Sequence, residues 1–178
     1  NEGINIRFIS QLMKKTGTGN TIRLINYSNL INEKQFKKYF IINSDSKQLI
    51  TNLKINNYKK IHITKKLKLN VFKKIIIGFI QKYNIKIIFA DLITSENLYK
   101  NETDQLFQSI KESCNVKIIS IEDYRKKSLN SDLAIIPQFV KKKQTEFENK
   151  NLLEGLKYYP FPSEMRKLRQ SQKNLKKI

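Results

Sequence analysis

The sequence predicts an α/β fold: a five-stranded, parallel, doubly wound sheet of the Rossmann-like kind. Short apolar runs rich in isoleucine alternate with longer segments whose apolar residues recur every three or four positions. Strands that alternate with helices are joined by right-handed crossovers, so they lie parallel and are buried on both faces. The 178 residues suffice for one such domain with an extension at each end.

The predicted elements follow one another from residue 21 onward. Short β-branched runs predict strands at 21–27, 39–42, 60–63, 85–90 and 116–121. Apolar residues at helical spacing predict helices at 46–55 and 71–83, and a third that begins at Asn101 or Thr103. We therefore place the α/β domain at residues 21–136.

Both ends of the chain are predicted to lie outside this domain. Residues 1–20 form an N-terminal extension, where Phe8, Ile9, Leu12 and Met13 predict one amphipathic helix ending near Gly17. Residues 137–178 form a basic C-terminal extension. It contains a predicted helix around 145–156, a kinked aromatic stretch at 158–162 and a final basic helix.

The residue counts exclude several kinds of site. One cysteine, Cys114, and one histidine, His62, exclude a disulfide framework, a Cys/His zinc cluster and a triad of the usual residues. His62 is interpreted as a histidine within a strand, and Glu112 near Cys114 predicts a raised thiol pKa and an inert thiol. We expect no metal and no cofactor. The apolar runs are too short to predict a membrane span.

Two positions are weighed as ligand contacts. Gly17-Thr18-Gly19 precedes a predicted strand rather than following one, which favours a turn over a phosphate-binding loop. Asp91 follows the fourth predicted strand, at the edge where ligands bind in such folds, and either contacts a ribose or caps a loop. The cap is the favoured interpretation. An enzyme of this fold would bind a small ligand near Asn26, Asn43, Asp91 and Glu122.

The charge is large and unevenly distributed. The chain has 35 Lys and Arg against 15 Asp and Glu, a net charge of +20, and eleven lysines but no acid between Asp45 and Asp91. Such patches neutralise the phosphates of nucleic acid, although a solvated lysine surface and a composition bias are the alternatives. The predicted RNA-binding residues are Lys59, Lys60, Lys65, Lys66, Lys68, Lys73, Lys74, Lys141, Lys142, Lys143, Lys157, Arg166, Lys167, Arg169, Lys173, Lys176 and Lys177.

The middle of the chain resembles the N-terminal antenna-type α/β domain of the photolyase and cryptochrome family, and the match is strongest at residues 85–124. Ile87-Ile88-Phe89-Ala90 is followed by Leu98-Tyr99-Lys100-Asn101-Glu102-Thr103-Asp104, with Thr103 where the family has arginine. Ile25-Asn26-Tyr27-Ser28-Asn29-Leu30-Ile31 stands where the family has Phe-Arg-x-Asp-Leu-Arg. The resemblance covers about half of the chain and implies a degenerate domain without the flavin-binding helical domain, so photolyase activity is not expected.

These observations predict a non-catalytic structural protein that binds RNA. A compact α/β domain with basic extensions is typical of a ribosomal protein, whose partners are rRNA and neighbouring ribosomal proteins. In the extension, Tyr158, Tyr159 and Phe161 are predicted to stack on bases or fill a neighbour's groove. By analogy we place the protein in a mitochondrial ribosome, with no small-molecule substrate. The alternatives are a nucleotide- or flavin-binding enzyme remnant and an assembly subunit of another mitochondrial complex that meets anionic lipid or an acidic partner.

Overall fold

The computed structural model describes residues 3–10, 19–43, 47–54, 58–64, 67, 69–92, 100–121, 130–137, 151–162 and 165. Within them the strands are β1 (Ile4–Ser10), β2 (Phe36–Asn43), β3 (Lys60–Thr64), β4 (Ile87–Asp91), β5 (Lys117–Ile121), β6 (Leu133–Ile136) and β7 (Leu152–Glu154). The helices are α1 (Gly19–Ser28), α2 (Lys47–Lys54), α3 (Leu69–Lys82) and α4 (Lys100–Ser113), with a 3₁₀ turn at Leu156–Tyr158.

The strands form one parallel sheet in the order β3-β2-β1-β4-β5-β6-β7. The predicted Rossmann-like α/β fold is therefore confirmed, but the sheet has seven strands in the described residues rather than five. From β1 the chain builds the sheet outward through β2 and β3, then returns to the other side of β1 with β4. The strand order thus reverses between β1 and β4, which is the topological switch point of such folds.

Helices cover both faces of the sheet, and each face has its own core. On one face, Leu24 of α1 and Leu53 of α2 join a buried cluster around Phe8. On the other face, Phe72 of α3 and Phe107 of α4 join a second buried cluster. Burial on both faces explains why the strand sequences read as continuous apolar runs.

The middle of the chain confirms most of the predicted alternation. The strands predicted at 39–42, 60–63, 85–90 and 116–121 correspond to β2, β3, β4 and β5. The predicted helices correspond to α2, α3 and α4, with ends shifted by a few residues. The longest described helices have 14 residues, and none in the described part of the chain is long and apolar enough to cross a membrane.

The helix predicted around Phe8 and Ile9 is wrong, because Ile4–Ser10 is β1 at the centre of the sheet. Phe8 pairs with Phe40 and Phe89, and Ile9 pairs with Ile41 and Ala90 on the neighbouring strands. The predicted boundary at residue 21 made this segment an extension, but the segment is part of the α/β domain. The sequence fits both periods, because Asn5 and Arg7 alternate with apolar residues as in a strand, while Phe8, Ile9, Leu12 and Met13 recur at helical spacing.

The strand predicted at 21–27 is also wrong, since these residues lie in α1. Thr21, Leu24, Ile25 and Ser28 are buried, at spacings of three, one and three residues. That spacing places them on one face of a helix, which packs against β1 and β4. Tertiary packing outweighs the strand preference of the β-branched residues here.

The C-terminal segment contributes to the sheet as well, so the domain does not end at residue 136. β6 was not predicted, and β7 occupies residues 152–154, where the sequence predicts a helix. After β7 the chain crosses to α1, where the Tyr27 hydroxyl donates a 2.8 Å hydrogen bond to the Tyr158 carbonyl. Residues 145–150 and the final basic segment after Met165 lie outside the described residues.

Candidate ligand-binding site

Five polar side chains meet at the switch point, where β1 and β4 end and α1 begins. We call them the switch-point cluster: Ser10, Asn20, Thr21, Arg23 and Asp91. Ser10 and Asp91 are the last residues of β1 and β4, and these two strands pair directly. The other three residues lie in the first two turns of α1.

A bidentate ion pair between Arg23 and Asp91 joins α1 to β4. Arg23 donates from Nε to Asp91 Oδ2 at 2.7 Å and from Nη2 to Asp91 Oδ1 at 3.0 Å. The Asp91 side chain is fully buried, and that of Arg23 is 13% exposed. This planar geometry is the strongest that an arginine makes with a carboxylate, and it fixes the direction of the helix.

Two further hydrogen bonds hold the start of α1 against the sheet. The hydroxyls of Ser10 and Thr21 lie 2.9 Å apart, and both residues are buried. Asn20 Nδ2 donates to the Asp91 backbone carbonyl at 3.4 Å. The N-terminus of α1 is thus tied to both strands of the switch point, while Asn20 itself remains half-exposed.

The first turn of α1 favours an anion. It contains no acidic residue, so nothing within the turn offsets the positive end of the helix dipole. Gly19 begins α1 after β1 has ended, so the glycine pair of residues 17–19 follows a strand and leads into a helix. The prediction that these glycines precede a strand is therefore wrong, while the turn predicted at Gly17 and Thr18 stays a prediction. Residues 11–18 lie outside the described residues.

The other residues predicted at the carboxyl edge have different outcomes. Asn26 lies in the second half of α1, away from that edge, because the predicted strand is a helix. Asn43 ends β2 as predicted, and Glu122 lies outside the described residues. Asp91 accepts from Arg23 through both carboxylate oxygens. The loop after β4, residues 93–99, lies outside the described residues, so the predicted loop cap stays a prediction. It is a positioning residue for α1.

Sequence reasoning missed Ser10, Asn20, Thr21 and Arg23. A usable signal was present, because Ile4, Ile6 and Phe8 alternate as in a strand and a glycine pair follows them. An anion-binding turn typically follows a strand, contains glycines and leads into an amphipathic helix.

Five of the predicted RNA-binding lysines lie in the described part of the chain: Lys59, Lys60, Lys73, Lys74 and Lys157. Lys59 is exposed beside the start of β3, where Lys60 is the first residue. Lys73 donates to Ser109 Oγ at 3.1 Å, while Lys74 is exposed on the same helix. Lys157 Nζ lies 4.8 Å from the Tyr158 ring centroid. Outside the described residues lie Lys65, Lys66, Lys68, Lys141, Lys142, Lys143, Arg166, Lys167, Arg169, Lys173, Lys176 and Lys177.

Cys114 and His62 occupy structural positions. Partial burial raises the pKa of the Cys114 thiol, in the predicted direction, although the cause is desolvation. A surface groove of about 430 Å³ beside Cys114 has Asp132 as one wall, and two lysines already bind that carboxylate. His62 lies in β3, edge-on to Phe79 at 5.7 Å. No three His, Cys, Asp or Glu side chains in the described ranges come together as a metal site.

Comparisons with known proteins support the fold. No protein-family model matches the sequence, and no curated protein is similar to it. The structure is similar to the crystal structure of a glycosyltransferase from Rickettsia africae ESF-5, with a TM-score of 0.56 and 17% identity. The match covers 86% of this chain and 42% of that one, so this chain spans less than half the length of the glycosyltransferase.

This likeness contradicts our prediction that the chain is not an enzyme, because it shares its fold with an enzyme. The prediction relied on the missing triad and on a glycine pair that was predicted to precede a strand. The second reason no longer holds, because the pair precedes α1. The rRNA partner, the mitochondrial location and the photolyase resemblance stay predictions. The segment set against the first-strand motif of that family lies in α1 and the turn that follows it.

Proposed function

We propose that this chain is an α/β domain of a sugar-transferring enzyme and binds a phosphate-bearing ligand, a nucleotide-linked sugar, at the N-terminus of α1. The observation that carries the proposal is the position of that N-terminus. It lies at the switch point, where ligands bind in open α/β sheets, and the Arg23–Asp91 pair holds it there.

The chemistry of a helix start suits a diphosphate. The first backbone N–H groups of a helix have no acceptor within the helix, and they bind phosphate oxygens with help from the dipole. No described atom lies within 4 Å of the position that a Cβ on Gly19 would take, so the described part of the chain leaves a ligand room to approach the backbone. The likeness to a glycosyltransferase supports a sugar as the group attached to the phosphate.

A pair of matched variants tests the proposal. Asn20→Asp places a carboxylate in the first turn of α1, where it repels phosphate while favouring the helix dipole. Asn26→Asp makes the same change further along the same helix, and both asparagines are half-exposed. We expect UDP-linked or GDP-linked sugars to raise the Tm of the parent and of Asn26→Asp, and Asn20→Asp to lose at least tenfold in affinity.

The readout is a thermal shift series at fixed protein concentration, with affinity taken from its dependence on ligand concentration. Asn20→Asp loses the hydrogen bond from Asn20 Nδ2 to the Asp91 carbonyl, so each variant is compared with its own unliganded Tm. The proposal fails if no nucleotide sugar shifts the Tm at millimolar concentration. It also fails if the two aspartate variants bind equally.

A further inference from the structure

The amino edge of the sheet, opposite the switch point, is rich in exposed lysines. In this fold the strands start at that edge and the helices end there. Six lysines of the edge are exposed in the described residues, and we call them the amino-edge lysines: Lys34, Lys54, Lys59, Lys82, Lys86 and Lys117.

Local structure accounts for only some of this charge. Lys54 and Lys82 lie in the last turns of α2 and α3, where a cation offsets the negative end of the helix dipole. Lys34, Lys59 and Lys86 instead come before strands, so they have no helix end to offset. None of the three makes an ion pair with another described residue.

Of the three described acids at this edge, lysines already bind two, and the third, Glu112 in the last turn of α4, is exposed and accepts from Gln108. Glu33 accepts from the buried Lys38 at 2.7 Å. Asp132 accepts from Lys111 at 3.0 Å and from Lys117 at 3.2 Å. The positive potential of Lys34, Lys59 and Lys86 therefore faces solvent uncompensated by these two carboxylates.

Two aliphatic side chains are exposed at the same edge. Ile4 starts β1 and is 47% exposed, and Leu30 follows α1 and is 48% exposed. Leu30 and Lys34 lie in the loop between α1 and β2. This loop contacts β1 through a 3.0 Å hydrogen bond from the Ile4 N–H to the Gln35 carbonyl. Lysine and aliphatic side chains therefore share one surface.

Exposed lysines beside exposed aliphatic side chains favour a lipid surface over a nucleic acid as the partner. RNA-binding surfaces use aromatic rings that stack on bases, whereas Phe36, Tyr58 and Tyr83, the aromatic residues at the described amino edge, are all half-buried. Interfacial membrane binding uses lysines for the anionic headgroups and aliphatic side chains for the layer beneath them.

We propose that the amino edge docks on an anionic phospholipid surface, with the amino-edge lysines at the headgroups and Ile4 and Leu30 inserted between them. This inference goes beyond the proposed ligand site and does not depend on it. The two sites lie at opposite edges of the sheet, so a docked protein keeps the N-terminus of α1 open to solution.

Co-sedimentation of the full chain with vesicles tests the docking surface. We expect binding to vesicles containing 30% phosphatidylglycerol, release at high salt, and no binding to phosphatidylcholine alone. Lys59→Gln with Lys86→Gln should lower the partition coefficient about 25-fold, since each lysine near an anionic surface contributes about fivefold. The control removes two exposed lysines elsewhere, Lys47→Gln with Lys74→Gln, and stays close to the parent.

A second variant separates lipid from RNA. Leu30→Ser should weaken vesicle binding several-fold, because a membrane-inserted aliphatic side chain is lost. The proposal is overturned if phosphatidylcholine vesicles bind equally well, or if the two double variants behave alike. It is also overturned if the chain binds duplex RNA and no vesicles, with Leu30→Ser unchanged, since the partner is then a nucleic acid.

Discussion

Arg7 is the most unusual single residue in the structure. It lies at the centre of β1 with no exposed surface, and its guanidinium sits 4.0 Å from the Phe79 ring centroid. Nη1 donates to the Ile76 carbonyl, whereas Nε and Nη2 have no partner among the described residues. Burial lowers the pKa of Arg7 from 12.5 to about 9. A buried charge without a carboxylate is costly to the folded state.

Arg7→Met should therefore stabilise the protein by about 1 to 3 kcal/mol, because it removes the buried charge and keeps an apolar stem of similar length. The folded-state pKa of Arg7 is depressed, so the cost of the charge is present below pH 9 and falls as the pH rises above it. The advantage of the variant should shrink over that window. Urea unfolding at pH 7 and pH 10 measures it.

Ile9→Met is the control for this substitution, since it introduces methionine two positions along the same strand without removing a charge. It should destabilise the protein by less than about 1.5 kcal/mol. A lower free energy of unfolding for Arg7→Met than for the parent would contradict the account of Arg7.

Asp132 gives the structure an acid-sensitive contact. Partial burial alone would raise its pKa, but the Ile118 backbone N–H at 2.8 Å and the ammonium groups of Lys111 and Lys117 hold the pKa below its ordinary value. The carboxylate therefore stabilises the fold above pH 4, and this contribution is lost as the pH falls toward the folded-state pKa.

Asp132→Asn should cost stability at pH 7, and the difference from the parent should begin to narrow as the pH falls below about 4. Denaturant unfolding at pH 7, 5 and 3 measures that difference. Glu112→Gln serves as the control, because Glu112 is exposed in the same groove and accepts only from Gln108 in the described part of the chain. A difference between Asp132→Asn and the parent that stays constant down to pH 3 would argue against this role.

At the scale of elements, the turn after β7 has a strict glycine requirement. Gly155 has φ 110° and ψ 166°, a conformation open almost only to glycine, and its N–H donates to the Ile136 carbonyl at 2.9 Å. Gly78 lies exposed in α3, where an added Cβ meets nothing within 4 Å. The two glycines should therefore respond oppositely to the same substitution.

Gly155→Ala should destabilise the protein by about 1 to 3 kcal/mol through backbone strain. Gly78→Ala should stabilise it by about 0.5 to 1 kcal/mol, because alanine is the better helix former. Thermal unfolding of both variants checks the pair. Equal effects of the two substitutions would mean that β7 and its turn do not hold the described geometry.

The sequence predicts the elements from β2 to β5 because their apolar patterns match their secondary structure. β1 and α1 were exchanged for a physical reason. The alternation in β1 is short, and apolar residues from Phe8 onward also recur at helical spacing. The helix α1 is rich in β-branched residues such as Thr21, Ile22 and Ile25. Because β1 was predicted as a helix and α1 as a strand, the glycine pair was not placed between a strand and a helix. The switch-point cluster could therefore not be predicted.

At the scale of the whole molecule, the structure separates two kinds of surface. At the carboxyl edge, α1 begins at the switch point, and the Arg23–Asp91 ion pair holds α1 against β4. The amino edge presents lysines and two aliphatic side chains. The charge pattern alone predicted a polyanion partner. It could not show which residues share an edge of the sheet, because that depends on the strand order.

The measurement that tests the central claim most directly is backbone amide NMR of the ¹⁵N-labelled chain titrated with a nucleotide-linked sugar. We predict that the largest shifts fall on Gly19, Asn20 and Thr21 at the start of α1, and that Lys86 and Lys117 at the amino edge stay unchanged. Saturable shifts clustered at the amino edge, or none anywhere at millimolar ligand, would contradict the account.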